Sequence, residues 1–274
     1  MSHPGLRPQS AAPAWPGGAR CAIAFTFDFD AEEVWIAEDP SNAERPVALS
    51  QGTYGAKVGM PAILDLLEKH ETRATFFVPG RVAESHEWWI GWLVKVGHEL
   101  ACHGYTHRPP AELDPEEEER ELVKAEEVLG SFGAPVIGYR APAWDLSTRT
   151  IGLLERHGFR YSSNFMDDVR PYVHEGSSVA ELPVHWALDD AAHWWFDASS
   201  WDKKISTTAE VRSIWQEELL GIRQMGGCCV FRMHPQVIGR PSRLAFLDEM
   251  LGWVRGLDDV WVATCAEIAT VVRR

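Results

Sequence analysis

Nearly continuous apolar runs recur along the chain, each followed by a helical pattern. This alternation restricts the fold more than any other feature of the sequence. The runs "CAIAFTFD" (21–28), "RATFFV" (73–78), "HELAC" (98–102), "VIGY" (136–139), "CCVFRM" (228–233) and "VWVAT" (260–264) read as strands. Short strands are also expected near 159–161 and 179–182. Strands without polar alternation are buried on both faces, the mark of a parallel sheet covered by helices. The intervening patterns predict helices over 60–70, 84–97, 114–133, 147–157, 208–225 and 241–255, with another closing the chain. The clearest is 114–133, where Asp114 is the N-cap, Pro115 the first helical residue and a glutamate run meets the positive end of the dipole. Residues 31–58 and 162–207 read as long irregular loops rich in Trp, Asp and Gly, the kind of segment on which sites are built.

A chain of 274 residues suits one barrel-sized domain. Residues 1–19, rich in Pro and Gly, read as an N-terminal arm or mobile tail, and 20–274 as the folded domain. The arm lacks the apolar core of a signal peptide, and no stretch is long and apolar enough to span a bilayer. A formal net charge of −14 argues against nucleic acid and against an anionic membrane surface. Five cysteines without a C-x-x-C pair read as reduced core thiols in a cytoplasmic protein.

Chemistry gathers at the C-terminal ends of the expected strands, where parallel α/β folds place their sites. Asp28 and Asp30 share one face of the first strand, since alternate residues point the same way. Buried carboxylates need a partner or a metal. "ACHGYTHRPP" supplies His103 and His107 at a spacing that lets two imidazoles converge on one ion. Two histidines and one carboxylate leave a coordination position open for water, the pattern of a catalytic metal site. If Asp30 is the ligand, Asp28 is left as a general base. His234 of "FRMHP" is then a candidate acid, and Arg140 of "GYRAPAW" a residue that keeps Asp28 ionised. No nucleophile elbow, dinucleotide fingerprint or P-loop is present.

"TFDFD", "HGYTH", "YRAP" and "MHP" occur in the order found in the polysaccharide deacetylases, carbohydrate esterase family four with its NodB-type domain. The chain resembles that family over roughly residues 20–272. The resemblance implies an α/β fold, a single distorted, TIM-like (β/α) barrel with fewer than eight regular strands. It implies one divalent metal, zinc first, with nickel, cobalt and iron(II) also suited to the donor set. It implies Asp28 as base, Asp30, His103 and His107 as metal ligands, Arg140 tuning the base, and His234 as acid. Tyr105, Trp144 and Trp186 are expected in the substrate pocket, and Asp189 or Asp190 is expected to orient His234.

The family's usual first motif has adjacent aspartates; here Phe29 separates them. This split, with "GTYGAKVGMPAIL" and "ELPVHWALDD", is similar to a cytoplasmic branch that includes peptidoglycan deacetylases, cyclic imide hydrolases and metal-independent allantoinases; with Asp30, His103 and His107 all present, a metal is expected here. The expected activity is removal of N-acetyl from an amino sugar. The alternative is ring opening of a cyclic imide or ureide, to which Trp-rich loops (Trp35, Trp144, Trp186, Trp194, Trp195 and Trp201) would give a closed pocket. A non-catalytic metal-bound module is the third reading. The expected partner is a small-molecule or oligosaccharide amide, without nucleic acid or membrane, and a homo-oligomer would suit the arm and the Trp-rich surface.

Overall fold

The structure is a computed structural model, and it describes residues 10–196 and 203–274. Nine strands form one curled sheet: β1 (Cys21–Asp28), β2 (Thr75–Val78), β3 (Glu99–Cys102), β4 (Gly138–Tyr139), β5 (Tyr161–Ser162), β6 (Tyr172–Val173), β7 (Ala180–Glu181), β8 (Cys228–Met233) and β9 (Val260–Val262). Their order is β6-β7-β5-β4-β3-β2-β1-β8, with β9 paired to the start of β1. Every pairing is parallel except β6 with β7. Four strands have only two residues, so the barrel is distorted and has fewer than eight regular strands, as the resemblance implies.

The helices are α1 (Glu33–Glu38), α2 (Pro46–Tyr54), α3 (Met60–Lys69), α4 (Gly80–Ser85), α5 (Glu87–Lys95), α6 (Pro115–Gly130), α7 (Thr150–Arg156), α8 (Asp190–Trp194), α9 (Thr208–Met225), α10 (Pro235–Ile238), α11 (Pro241–Arg255) and α12 (Cys265–Val272). No helix among the described residues is long and apolar enough to cross a membrane. Asp114 caps α6 as read from the sequence, accepting from the N–H groups of Glu116 and Glu117. The segment expected as one helix over 84–97 is two, α4 and α5, parted at His86. Residues 31–58 are not irregular: they form α1, α2, one short 3-10 turn (Pro40–Glu44) and most of a π turn over Gly55–Gly59. Likewise β6 and α8 lie within the expected 162–207 loop. Trp201 lies outside the described residues.

Strand parity divides the interior. Cys21, Ile23, Phe25 and Phe27 of β1 pack outward against the helices, in a core that includes Met60, Leu67, Trp215 and Phe246. Ala22 and Ala24 face inward with Cys228 and Val230 of β8, Phe77, Ala101 and Tyr161. The same inward face continues upward into Thr26 and Asp28, and on β8 into Arg232 and His234. The barrel is thus largely apolar at its N-terminal end, where Glu99 is held by Thr75, Tyr161 and Ala266, and charged at its C-terminal end. Cys265, Ile268 and Ala269 of α12 plug the apolar end, together with Trp15. The described part of the arm is therefore docked rather than a free tail. Burying Trp15 against Trp261, with ring centroids 6.0 Å apart, removes a large apolar surface from water. All five cysteines are free and buried.

Candidate active site

Asp28 ends β1 with no solvent exposure. Its Oδ1 accepts from Arg140 at 2.7 Å and its Oδ2 from the Nε of Arg232 at 2.5 Å. Both guanidiniums are held in place. Arg140 also donates to Thr26 Oγ1, Ser163 Oγ and the Ser163 carbonyl, and it lies over the Phe77 ring at 3.9 Å. Arg232 donates to Asp189 Oδ2 at 2.8 Å and lies over the Trp144 ring at 4.5 Å. Burial opposes ionisation of Asp28, but the two guanidiniums outweigh it and hold the carboxyl well below its ordinary range.

Arg232 is the functional candidate that sequence reasoning passed over. The available signal was a cation inside the otherwise apolar "CCVFRM", two residues before His234 and so on the same face. The strand register confirms the placement, with Arg232 directly beside Thr26 across the β1–β8 pair.

Asp30, His103 and His107 converge on one point. Asp30 Oδ1 is 3.6 Å from the Nε2 of each histidine. These three atoms are buried and have no hydrogen-bond partner, although each residue offers one ligand atom within 4.8 Å of the others. Three orphaned donor atoms from two segments, aimed at each other, fit a bound cation. Burial pushes His103 down to about 4 and His107 to about 3, so both imidazoles are neutral and have lone pairs to give. Burial also pushes the Asp30 carboxyl up, against the pull of His103 and His234, so its ionised form needs a positive partner. The second nitrogen of His103, Nδ1, lies 2.7 Å from the Arg140 carbonyl, which fixes the ring and leaves Nε2 facing the cluster. The backbone here is strained: Ala31, His107, Ala143 and Trp144 all have φ between 44° and 58°.

His234 closes the group. Its Nε2 is 4.0 Å from Asp28 Oδ2 and 3.9 Å from Asp30 Oδ2. On the far side its Nδ1 pairs with Asp190 Oδ1 at 2.6 Å, and its backbone N–H donates to Asp190 Oδ2 at 2.9 Å. Burial lowers the imidazole pKa, but the Asp190 carboxylate outweighs it and pushes the group up to about 9. Of the two aspartates proposed from sequence, Asp190 contacts His234 by a hydrogen bond, while Asp189 holds Arg232 and caps α8 through Ala191. The Asp189–Asp190–His234 group could be mistaken for a second metal site, but its donor atoms are already engaged internally.

The three residues expected in a substrate pocket fare differently. Trp144 is buried against Arg232, beside the cluster. Trp186 is 47% exposed and reaches the site only through Trp144, at 4.6 Å between ring centroids. Tyr105 is not brought to the cluster: its hydroxyl donates to Glu84 and its ring packs over Gly80. The stretch "GAKVG" also has a physical role. A Cβ on Gly59 would lie 2.2 Å from the Pro235 carbonyl oxygen, so only glycine lets the π turn approach the segment that carries His234.

A family model for polysaccharide deacetylase matches residues 44–162. A solved structure of a Mycobacterium smegmatis protein, assigned to the polysaccharide deacetylases, is 41% identical, with 96% of this chain and 94% of that chain covered and a TM-score of 0.92. The peptidoglycan deacetylase of Helicobacter pylori is 28% identical over 90% of this chain and 94% of its own length. The crystal structure of an allantoinase, PuuE, is 21% identical, with 99% and 97% coverage and a TM-score of 0.82, a likeness of fold.

Proposed function

The chain belongs to the polysaccharide deacetylase family, and from that premise we propose that it is a metal-dependent hydrolase of non-peptide amide C–N bonds, removing N-acetyl from an amino sugar. The observation that carries this reading is the convergence of three unpartnered donor atoms beside a clamped carboxylate and a charged histidine.

Asp30, His103 and His107 would hold the ion, most simply zinc. When bound, it supplies a Lewis acid that polarises a carbonyl and makes a water acidic enough for a carboxylate as weakly basic as Asp28. Asp28 takes a proton from the attacking water. Arg140 and Arg232 hold that carboxylate in position and ionised before it acts. His234, kept protonated by Asp190, gives its proton to the departing nitrogen. Asp28 and His234 approach each other to 4.0 Å, so both can reach one amide group held alongside them. The five unpaired thiols suit a reducing, cytoplasmic setting.

A second reading, ring opening of a cyclic imide or ureide, is favoured by the depth of the site. Asp28 and His103 have no exposure, and Asp30 and His234 have 1% and 3%. A compact ring reaches such a position more readily than a polymer does. Acetate release from N-acetylchitooligosaccharide and ring opening of succinimide, each followed with and without a strong chelator, test both readings. Chelator-sensitive activity on either substrate supports the metal hydrolase and selects the substrate class. Activity that survives removal of all bound metal refutes the assignment of Asp30, His103 and His107.

A further inference from the structure

We propose that a cavity of about 140 Å³ beside His234 is an anion subsite, and that the amide substrate carries a carboxylate held there by Arg240 and Arg243. The proposal rests on the hydrolase reading above and narrows its substrate class. The Trp195 ring, which lines the cavity, is 6.0 Å from the His234 ring and stacks on Trp35 at 5.1 Å. Trp195 thus borders both the cavity and, at a steep ring angle of 73°, the proposed acid.

Its polar lining is unusual in two ways. Gln236 lies two residues beyond His234, is only 5% exposed, and neither its Nε2 nor its Oε1 has a hydrogen-bond partner. A buried carboxamide with both ends unmatched is unfavourable unless something binds there. The two arginines that line it also lack an ion pair. Arg140 and Arg232, which are buried, each pair with a carboxylate, whereas Arg240 and Arg243 are half-buried at the cavity. Arg240 instead stacks on Tyr54 at 3.7 Å; Arg243 stacks on Trp194 at 5.2 Å and donates to the Val237 carbonyl. Neither forms an ion pair among the described residues. In a chain of net charge −14, two guanidiniums at one small cavity, with only the Asp190 carboxylate acting on Arg243 from beyond ion-pair distance, give that cavity a positive lining.

The chemistry selects a planar anion. Two guanidiniums match the geometry of a carboxylate. The Arg240 end of α11 is the positive end of a 15-residue helix, which adds to the attraction. The Gln236 carboxamide offers one donor group and one acceptor, suited to a neighbouring carbonyl and N–H of the same ligand. The faces of Trp35 and Trp195 accommodate flat or apolar substrate surface.

Two matched pairs of probes test this on the metal-loaded enzyme: N-acetylglucosamine with N-acetylmuramate, and hydantoin with hydantoin-5-acetate. The carboxylate member of the pair that is hydrolysed should have the higher kcat/KM, by about tenfold or more. Arg240→Gln should bring that ratio close to one, and Arg240→Lys should retain part of it. Binding is read separately, by quenching of tryptophan fluorescence on titration with hydantoin-5-acetate and N-acetylmuramate. It should be saturable, and about tenfold or more weaker in Arg240→Gln and in Gln236→Leu. If none of the four compounds is hydrolysed but carboxylate binding still depends on Arg240, the hydrolase reading loses support and the subsite stands. If the neutral members are hydrolysed at least as well as the charged ones and neither carboxylate binds saturably, the subsite is overturned and the cavity is only hydrated space.

Discussion

Replacing Asp190 by Asn should move the alkaline limit of activity more than it changes the maximal rate. The Asp190 carboxylate pairs with His234 Nδ1 at 2.6 Å in a site with almost no solvent. Burial and Arg232 both push the imidazole pKa down, yet the group stands at about 9 rather than 6.5, chiefly because of Asp190, with a smaller contribution from Asp189. The difference corresponds to ~3 kcal/mol of preference for the charged form. Asparagine keeps a hydrogen-bond acceptor but removes the charge. Burial and Arg232 are then opposed by Asp189, Asp28 and Asp30 but no longer by Asp190, so the pKa should fall to about 6.5. If His234 must be protonated to act, kcat/KM of the wild type declines above about pH 9 and that of the variant above about pH 6.5. At pH 8 the variant should be at least ~10-fold slower, and at pH 5.5 the two should nearly converge. Stability has the same sign. A folded pKa above the unfolded one stabilises fully below pH 6.5, and the contribution is lost as pH rises through about 9. Wild-type melting temperature should therefore fall relative to the variant across that window. An alkaline limb at the same pH in both proteins would refute the role given to the Asp190–His234 pair.

Asp28→Asn should lower kcat by ~10²–10⁴ with metal content unchanged, and should also destabilise the fold by ~3–5 kcal/mol, because two buried guanidiniums lose their shared anion; metal analysis and denaturant titration check both parts. His103→Ala should reduce bound metal to well below one ion per chain, measured by elemental analysis after dialysis. Added zinc should raise wild-type stability by ~4 kcal/mol at a thousandfold excess over its dissociation constant, and should leave His103→Ala unchanged in a thermal scan. Gly59→Ala should cost ~1–3 kcal/mol and reduce turnover, since its methyl group would press on the Pro235 carbonyl next to His234; a kcat equal to wild type would show that the approach is not needed for activity.

Much of this was legible in the sequence, for reasons tied to local patterns. The strand β1, the capped helix α6 and the long helices α9 and α11 follow from apolar runs and capping residues close together in the chain. The convergence of Asp30, His103 and His107 was legible because strand parity and histidine spacing are also local properties. What was missed depends on contacts between distant segments. The helix α2, "PVALSQGTY", has little amphipathic pattern; it is seated by close approach, with Gly52 against the Ala31 carbonyl. Arg232 looked like a stray residue in a core strand because its partners, Asp28 and Asp189, are 204 and 43 positions away. The choice between Asp189 and Asp190 could not be made from two adjacent letters. In the fold they are divided between Arg232 and His234 by where each side chain points as α8 begins.

The five buried thiols carry a consequence for how the protein can be watched. Cys21 is on β1, Cys102 on β3, Cys228 and Cys229 on β8, and Cys265 at the start of α12. Burial pushes Cys21, Cys102 and Cys265 up to about 12, so none is reactive while the chain is closed. A thiol reagent can mark each position only when that part of the barrel breathes open. The order in which the five acquire label, read peptide by peptide, would chart which strand leaves the sheet first, with no probe engineered into the molecule.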